Sequence, residues 1–191
     1  METFIFPLNT VLFPGGTLQL RVFEQRYLDM TKVCLRDSLP FGVCLIKEGS
    51  EVGAPAVPER VGALATITHW DMPQLGLFSL TTRGGARFRI LDDDVNAAGL
   101  ITARIECWDA DPAAGAVDPA CLKALKMLIE RAGSGDFPGP PHLDDAEWVG
   151  YRLAETLPMD NAARQELLEL RDAGARLQRL RHLLDELGYR G

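Results

Sequence analysis

The most distinctive polar cluster of this sequence lies at residues 24–27, where Glu24, Arg26 and Tyr27 occur within four positions. Arginine and tyrosine are favoured at binding surfaces because each offers a large contact area together with hydrogen-bonding groups. With Arg83 and Arg87, Arg26 and Tyr27 are the candidate residues of a groove that binds a peptide. The alternative is structural: Glu24 suits a helix N-terminus electrostatically, and Arg26 pairs with a carboxylate of a neighbouring sheet. The sequence leaves both roles open.

Residue patterns that would support catalysis or cofactor binding are not found. The sequence has no G-x-x-x-x-G-K-[ST] nucleotide loop, and none of its serines lies in a G-x-S-x-G motif. The three histidines, His69, His142 and His182, form no H-x-x-x-H pair of the kind that holds zinc. We therefore expect no enzyme activity, no cofactor and no metal. An enzyme with an unrecognised site would need a pocket that joins His69 or Glu24 to other titratable groups.

The acidic run Asp92-Asp93-Asp94 is the one segment whose composition suggests a divalent cation. It follows a predicted strand, at a predicted turn, where successive carboxylates point in different directions. Calcium loops instead place their ligands at alternate positions and supply about 6–8 oxygens. A solvated turn is therefore the favoured interpretation.

The composition is that of a globular protein without a membrane helix. Its 191 residues are 47% hydrophobic, and no apolar run approaches the ~20 residues that cross a bilayer. The N-terminus lacks the pattern of a secretory signal. The cysteines show no CxxC spacing, so we expect small buried side chains in a reducing compartment, hence a cytoplasmic protein. They are Cys34, Cys44, Cys107 and Cys121.

The first third of the chain predicts strands around one helix. Phe4, Phe6 and Leu8 share a face if the first segment is extended, and Pro14-Gly15-Gly16 predicts a tight turn. An alternating strand follows over residues 18–22, and helical spacing predicts a helix from about Glu24 to Asp37. Further strands are predicted over residues 41–47 and 61–70, joined by a loop over residues 48–60.

The glycine pair after Arg83 predicts a second hairpin. Strands over residues 77–82 and 86–91 would flank a three-residue loop, Arg83-Gly84-Gly85, with Gly85 in the left-handed position of a bulge. The strand pairing imposed by a three-residue loop is the one that buries a consistent apolar face. It turns Ser79, Thr81, Arg87 and Arg89 outward. A last strand over residues 100–108 points Ile101, Ala103, Ile105 and Cys107 inward.

After Trp108 the pattern becomes helical. Residues 109–117 form a predicted linker, and Asp118-Pro119 is a cap followed by proline at the first helical position. Residues 133–141 are predicted to end that helix. The segment from Asp144 to Glu147 has the pattern of a capping box and predicts the start of a second helix. Two more helices are predicted to begin near Asp160 and Asp172. The apolar stripes are Leu122, Leu125, Ile129 and Ala132 in the first helix, and Leu177, Leu180, Leu184 and Leu187 in the last. The last stripe is too short for a sustained coiled coil and indicates a packing face in a small bundle. We predict two domains, residues 1–110 and 111–191.

Several segments of the chain resemble the Lon N-terminal domain family, which also occurs in cereblon and as a free-standing bacterial protein. The matching segments are Phe6-Pro7-Leu8, Val11-Leu12-Phe13-Pro14-Gly15, Val22-Phe23-Glu24 with Arg26-Tyr27, Arg87-Phe88-Arg89-Ile90, and "RQELLEL" followed by "RLQRLRHLL". Gln19 and Gln25 depart from the family, since many members carry proline there. The resemblance implies an α+β fold with a PUA-like β-barrel and a C-terminal helical bundle.

The same resemblance implies a non-catalytic module that binds polypeptides. In Lon the similar domain helps to recognise unfolded or tagged substrates and supports assembly of the hexamer. A free-standing copy is expected to bind an unfolded or tagged polypeptide, or a protease or chaperone partner, as an adaptor in protein quality control. The alternative is a PUA-like protein that binds RNA or a small ligand through Arg83, Arg87 and Arg89. The net charge of −7 opposes nucleic acid as a partner, since phosphate binding requires cations.

Overall fold

The computed structural model describes residues 1–112, 115–132 and 140–189, which form a mixed α+β fold of six strands and five helices. By its internal contacts the chain divides into two units, Met1–Asp109 and Ala110–Gly191. All six strands and the first helix belong to the first unit. The other four helices belong to the second.

The six strands form one sheet whose pairings return on themselves. The strands are β1 (Glu2–Leu8), β2 (Thr17–Val22), β3 (Phe41–Glu48), β4 (Val57–Gln74), β5 (Leu77–Val95) and β6 (Ile101–Cys107). Their order is β2-β5-β4-β3-β1-β6, and β5 pairs with β6 as well. Only β1 and β3 run parallel. Five strands thus form a closed circuit, and β2 lies outside it, beside β5.

The N-terminal segment folds as its residue pattern predicts. Phe6 and Leu8 lie in one apolar cluster, with Phe4 packed against it. In the turn, Gly16 N–H donates to the carbonyl of Phe13 at 3.0 Å. Gly15 has φ of 72°, a value that glycine adopts without the steric cost of a side chain. In β2, Leu20 and Val22 are buried while Gln19 and Arg21 are exposed, so the predicted alternation is confirmed.

Helix α1 (Gln25–Asp37) covers the same apolar cluster. Glu24 occupies its N-cap position without a side-chain cap hydrogen bond. The helix ends at Ser38, whose φ of 53° is left-handed and whose N–H donates to the carbonyl of Cys34. The predicted start and end of this helix are confirmed to within one residue.

The predicted hairpin at Arg83-Gly84-Gly85 is wrong, because β5 runs through these residues without a turn. The hairpin turn instead joins β4 to β5 at Gly76, whose φ is 81°. Gly85 does not have positive φ. At Gly84 the backbone of β5 lies close to the turn at residues 13–16. Gly84 N–H donates to the carbonyl of Gly16, and Gly15 N–H donates to the carbonyl of Gly84, both at 2.8 Å. A Cβ on Gly84 would lie 2.1 Å from the carbonyl oxygen of Phe13. Gly84 therefore accommodates the neighbouring turn rather than making one.

Three smaller predictions in the first unit also need correction. The loop after β3 is shorter than predicted, since β4 begins at Val57. Asp92–Asp94 lie within β5 and pair with β6, so this acidic run is exposed strand rather than a turn. Cys107 is exposed at the end of β6, whereas Cys34, Cys44 and Cys121 are buried as expected.

The second unit contains α2 (Pro119–Ala132), α3 (Ala146–Thr156), α4 (Asn161–Glu169) and α5 (Ala173–Glu186). The carboxylates of Asp118, Asp160 and Asp172 accept backbone N–H groups at the starts of α2, α4 and α5. The predicted caps at Asp118 and Asp160 are confirmed, and so is the predicted start of the last helix near Asp172. At α3 the prediction is off by one residue. Asp145, not Asp144, is the N-cap, and it accepts from the N–H groups of Glu147 and Trp148.

The apolar stripe of α5 is confirmed except at its end, because Leu177, Leu180 and Leu184 are buried and Leu187 is exposed. In the predicted stripe of α2, Leu125 is buried, Leu122 and Ile129 are half-buried, and the side chain of Ala132 lies outside the described residues. Cys121 and Ala124 are buried as well. The predicted helix stop at residues 133–141 lies mostly outside the described residues.

Candidate functional site

Arg26, in the first turn of α1, is held by contacts inside the first unit. Its side chain is only 6% exposed. One guanidinium nitrogen lies 3.0 Å from Glu24 Oε2, and another donates to the carbonyl of Gly99 at 3.1 Å. The guanidinium carbon lies 4.7 Å from the centre of the Tyr27 ring. Arg26 therefore has a structural role, and its carboxylate partner is Glu24 rather than the sheet residue that we expected.

Tyr27 forms part of an aromatic floor. Its ring stacks on Phe6 with centroids 4.0 Å apart and planes 19° from parallel. Burial raises the pKa of the Tyr27 phenol above 10.0, Arg26 opposes this shift, and Glu24 adds to it. The phenol is therefore neutral at physiological pH, so any contribution to binding comes from its ring and its hydroxyl group.

Arg83 and Arg87 lie on β5 in different surroundings. Arg83 is exposed and is paired in register with Thr17 of β2. Arg87 is only 3% exposed, because the ring of Trp108 covers its guanidinium at 5.3 Å. The prediction that Arg87 points outward into solvent is therefore wrong. Neither cavity described below is lined by Arg26, Arg83 or Arg87, so a peptide-binding role for these three residues stays a prediction.

The arginine face that the RNA alternative requires is largely engaged by other side chains. Arg87 is covered by Trp108, and Arg89 lies 2.9 Å from Glu106 Oε2 in an ion pair across β5 and β6. Arg83 and Arg89 are both exposed, but only Arg89 is held in an ion pair in the described residues. No observation in this part of the structure favours RNA over a polypeptide.

A cavity of about 360 Å³ runs along β2, and we call it the β2 groove. Phe6, Leu8 and Tyr27 contribute apolar and aromatic surface to it. Phe23 and Val52, each 56% exposed, add apolar surface that is open to solvent. The complete lining is Phe6, Leu8, Thr10, residues 18–24, Tyr27, Glu51 and Val52. Apolar and polar residues both contribute to this lining, and a concave surface of this kind is a candidate binding site.

A larger cavity of about 420 Å³ lies at the N-terminus. It is lined by residues 1–4, Val33, Leu39, Pro40, residues 92–94 and residues 102–104. The strand edges here are already paired, since β6 bonds to both β1 and β5. No group of three or more metal-ligating side chains was found in residues 1–112, 115–132 and 140–189. We therefore take the smaller β2 groove as the candidate site.

Sequence reasoning found Tyr27 but missed most of the β2 groove. The alternating pattern of β2 identified its buried face, yet nothing in it distinguished an edge strand from a central one. Phe23 and Val52 lie 29 positions apart, and only the folded chain places both at one cavity. An apolar residue directly after an alternating strand, such as Phe23, was the one local signal available.

Comparison with known proteins defines the class of the molecule. Over residues 2–186 the chain matches the family described as the ATP-dependent protease La (LON) substrate-binding domain. The chain belongs to this family, and the predicted resemblance is confirmed. None of the helices in the described ranges is long and apolar enough to cross a membrane.

Solved structures show the same fold. A Lon N-terminal domain protein from Xanthomonas campestris is 34% identical, with a TM-score of 0.79 over 94% of this chain and 96% of that chain. The N-terminal domain of the Lon protease of Mycobacterium avium complex is 15% identical, with a TM-score of 0.71 over 97% of each chain.

Curated relatives are whole Lon proteases. The Lon protease of Anaeromyxobacter dehalogenans is 30% identical over 129 residues, which are 66% of this chain and 15% of that protein. Lon protease 2 of Myxococcus xanthus is 25% identical over 197 residues, covering 95% of this chain and 23% of that protein. The chain thus spans less than a quarter of the length of these two relatives.

Proposed function

We propose that this protein is a non-catalytic module that recognises polypeptides, and that the β2 groove is its binding surface. The observation that carries the proposal is the family match over residues 2–186, since that family is a substrate-binding domain. A role as an adaptor in protein quality control, in the cytoplasm, belongs to the same proposal. So does the architecture: a PUA-like β-barrel built on the closed strand circuit, followed by a bundle of the last four helices.

The chemistry of the groove suits unfolded chains. Unfolded polypeptides expose apolar side chains and unpaired backbone groups, whereas native proteins bury most of both. Phe23 and Val52 offer exposed apolar contacts, and the floor formed by Phe6 and Tyr27 is already desolvated. Such a surface distinguishes unfolded from native polypeptides and does not require one particular sequence.

Fluorescence anisotropy with a labelled, permanently unfolded protein tests the proposal. Reduced and carboxymethylated α-lactalbumin serves as the unfolded probe, and native α-lactalbumin is its folded counterpart. We expect the unfolded form to bind at micromolar concentration and the native form to bind at least tenfold more weakly. Absence of binding to the unfolded form would contradict the proposed function.

Paired variants locate the surface. The double variant Phe23→Ser and Val52→Ser removes the exposed apolar contacts of the groove, and we expect it to weaken binding about tenfold. The matched control is Val57→Ser with Leu75→Ser, which removes exposed apolar side chains that do not line the groove. Equal effects of the two double variants would place binding elsewhere on the chain.

A further inference from the structure

β2 is an edge strand with one side unpaired. In the described part of the chain β2 pairs with β5 alone, from Thr17↔Arg83 to Val22↔Phe78. Edge strands present a row of backbone N–H and C=O groups that can pair with another chain. Two devices that often blunt such an edge do not occur in β2, because it contains no proline and shows no register shift against β5.

The hydrogen bonds at the start of β2 determine which residues face the open side. Gly84 N–H donates to the carbonyl of Gly16 at 2.8 Å, so residue 16 directs its carbonyl toward β5. In an antiparallel pair this orientation alternates, which assigns Leu18, Leu20 and Val22 to the β5 ladder. Gln19 and Arg21 consequently direct their N–H and C=O groups toward the open side.

The open edge and the β2 groove are the same place. Residues 18–24 line the groove along the whole length of the edge, beside the aromatic floor of Phe6 and Tyr27. A strand added to this edge would direct every second side chain toward the floor and the others toward solvent. The six residues of β2 span about 20 Å, enough for a segment of comparable length.

Arg21 places a positive charge on the β2 edge itself. Arg21 is exposed and has no ion-pair partner within the described ranges. Of the two carboxylates that line the groove, Glu24 pairs with Arg26, whereas Glu51 accepts the neutral N–H of Asn9 at 2.6 Å and keeps its negative charge. An acidic side chain across from Arg21 is therefore the complementary neighbour.

We propose that the open edge of β2 binds an extended segment of a partner polypeptide as an added β-strand. The segment places apolar side chains at alternate positions over Phe6 and Tyr27, and an acidic side chain beside Arg21. Backbone pairing supplies affinity that does not depend on the sequence of the segment. The groove supplies a preference for apolar side chains at alternate positions, and Arg21 supplies a preference for an acidic one. This proposal rests on the proposed function and specifies the conformation and chemistry of the bound segment.

The first test changes the backbone of β2 at one position. Gln19→Pro removes an N–H that faces the open side and leaves the β5 ladder intact, and proline is tolerated at such edge positions. Gln19→Ala is the matched control, because it removes the side chain and keeps the N–H. With unfolded α-lactalbumin we expect Gln19→Pro to weaken binding about tenfold and Gln19→Ala less than twofold. Binding by wild type with equal effects of the two variants would overturn strand addition and leave the proposed function standing.

The second test changes the ligand, so it decides the question even if Gln19→Pro fails to fold. The probe is a labelled nine-residue peptide with valine at alternate positions and one aspartate, N-methylated either at its odd or at its even residues. Only one edge of an added strand faces β2, so we expect one isomer to lose affinity at least tenfold relative to the other. Equal affinities, or no binding by the unmethylated peptide, would overturn the proposal.

Two further measurements test the charge and the occupant. Arg21→Glu should weaken binding of the aspartate peptide and restore it for a peptide with lysine in place of aspartate. If Arg21→Glu leaves the preference for the aspartate peptide over the lysine peptide unchanged, the role of Arg21 is refuted.

Sedimentation of the wild-type chain tests whether a second copy pairs with β2 instead. A dimer that Gln19→Pro dissociates would overturn a partner polypeptide as the occupant.

Discussion

Each unit of the molecule contains one buried arginine that stacks on a tyrosine, and the two arginines are held in different ways. Arg26 pairs with Glu24, two positions away, and that carboxylate side chain is 21% exposed. Arg176 pairs with Asp111, 65 positions away, at 2.6 Å, and both side chains are essentially inaccessible. Arg176 also donates to the carbonyls of Leu167 and Leu170 and lies 4.3 Å from the Tyr151 ring centre.

This difference separates an arginine whose carboxylate partner is buried from one whose carboxylate borders the β2 groove, the proposed binding surface. All the partners named for Arg176 lie within the second unit, and they connect the segment before α2 to the end of α4 and the start of α5. Arg26 instead leaves its Nε without a hydrogen-bond partner in the described residues, and its carboxylate Glu24 lines the β2 groove. Burial of both partners makes an ion pair costly to break, whereas partial exposure lets water compensate.

The largest effect is expected from Arg176→Ala. This change removes the guanidinium that pairs with the buried carboxylate of Asp111 and donates to the carbonyls of Leu167 and Leu170. We expect a loss of about 4 kcal/mol in the free energy of unfolding. Urea denaturation measures the loss, and hydrogen exchange of α3, α4 and α5 locates it. A loss below about 1 kcal/mol would remove the contrast between the two arginines.

Arg26→Ala is expected to cost less, about 3 kcal/mol, because water can reach Glu24 once its partner is gone. Urea denaturation of Arg26→Ala and Arg176→Ala under the same conditions compares the two directly. Arg26→Lys is the conservative control: one ammonium cannot reproduce the fork that reaches both Glu24 and Gly99, so we expect only partial rescue. If Arg26→Ala lowers the free energy of unfolding more than Arg176→Ala does, the Arg26 ion pair is the more important of the two for stability, contrary to our expectation.

Each unit also contains a buried thiol that makes stability depend on pH. Burial raises the pKa of Cys34 to about 11, with a further contribution from Asp37, and that of Cys121 to about 12, with a further contribution from Asp118. The folded state thus favours the neutral thiol. Its contribution is fully present below the unfolded pKa of 9.0 and is lost as the pH rises through the folded value.

Between about pH 7.5 and about pH 10.5, each thiol should therefore account for roughly 2 kcal/mol of lost stability. Urea denaturation with a reductant present, at both pH values, measures this loss. Cys34→Ala and Cys121→Ala should each reduce the pH difference by that amount, whatever they cost at neutral pH. If neither variant changes the alkaline loss, Cys34 and Cys121 are not its source.

The smallest effect tests a local signal of the second unit. Asp145→Ala removes the cap of α3, and we expect a loss of about 1 kcal/mol. Asp144→Ala, one position earlier, is the matched control and should change stability by less than about 0.5 kcal/mol. Thermal unfolding of both variants measures the difference. A larger loss from Asp144→Ala would support the capping box that the sequence suggested.

The sequence by itself determined the features that depend on neighbouring residues. The caps at Asp118 and Asp160, the start of α5 near Asp172, the turn at Gly15 and the limits of α1 each follow from residues close together in the chain. The family was readable for a similar reason, because its motifs, such as Phe13-Pro14-Gly15 and Val22-Phe23-Glu24, are short and contiguous.

Only the tertiary structure decided the features that depend on distant partners. Gly84 and Gly85 carry the composition of a turn, yet β5 stays extended because its partners, Gly15 and Gly16, come from another segment. Arg87 carries the pattern of an exposed strand residue and is buried because Trp108 covers it. The free edge of β2 is likewise invisible in an alternating pattern, because alternation records which face a strand buries and not which edge has a neighbour.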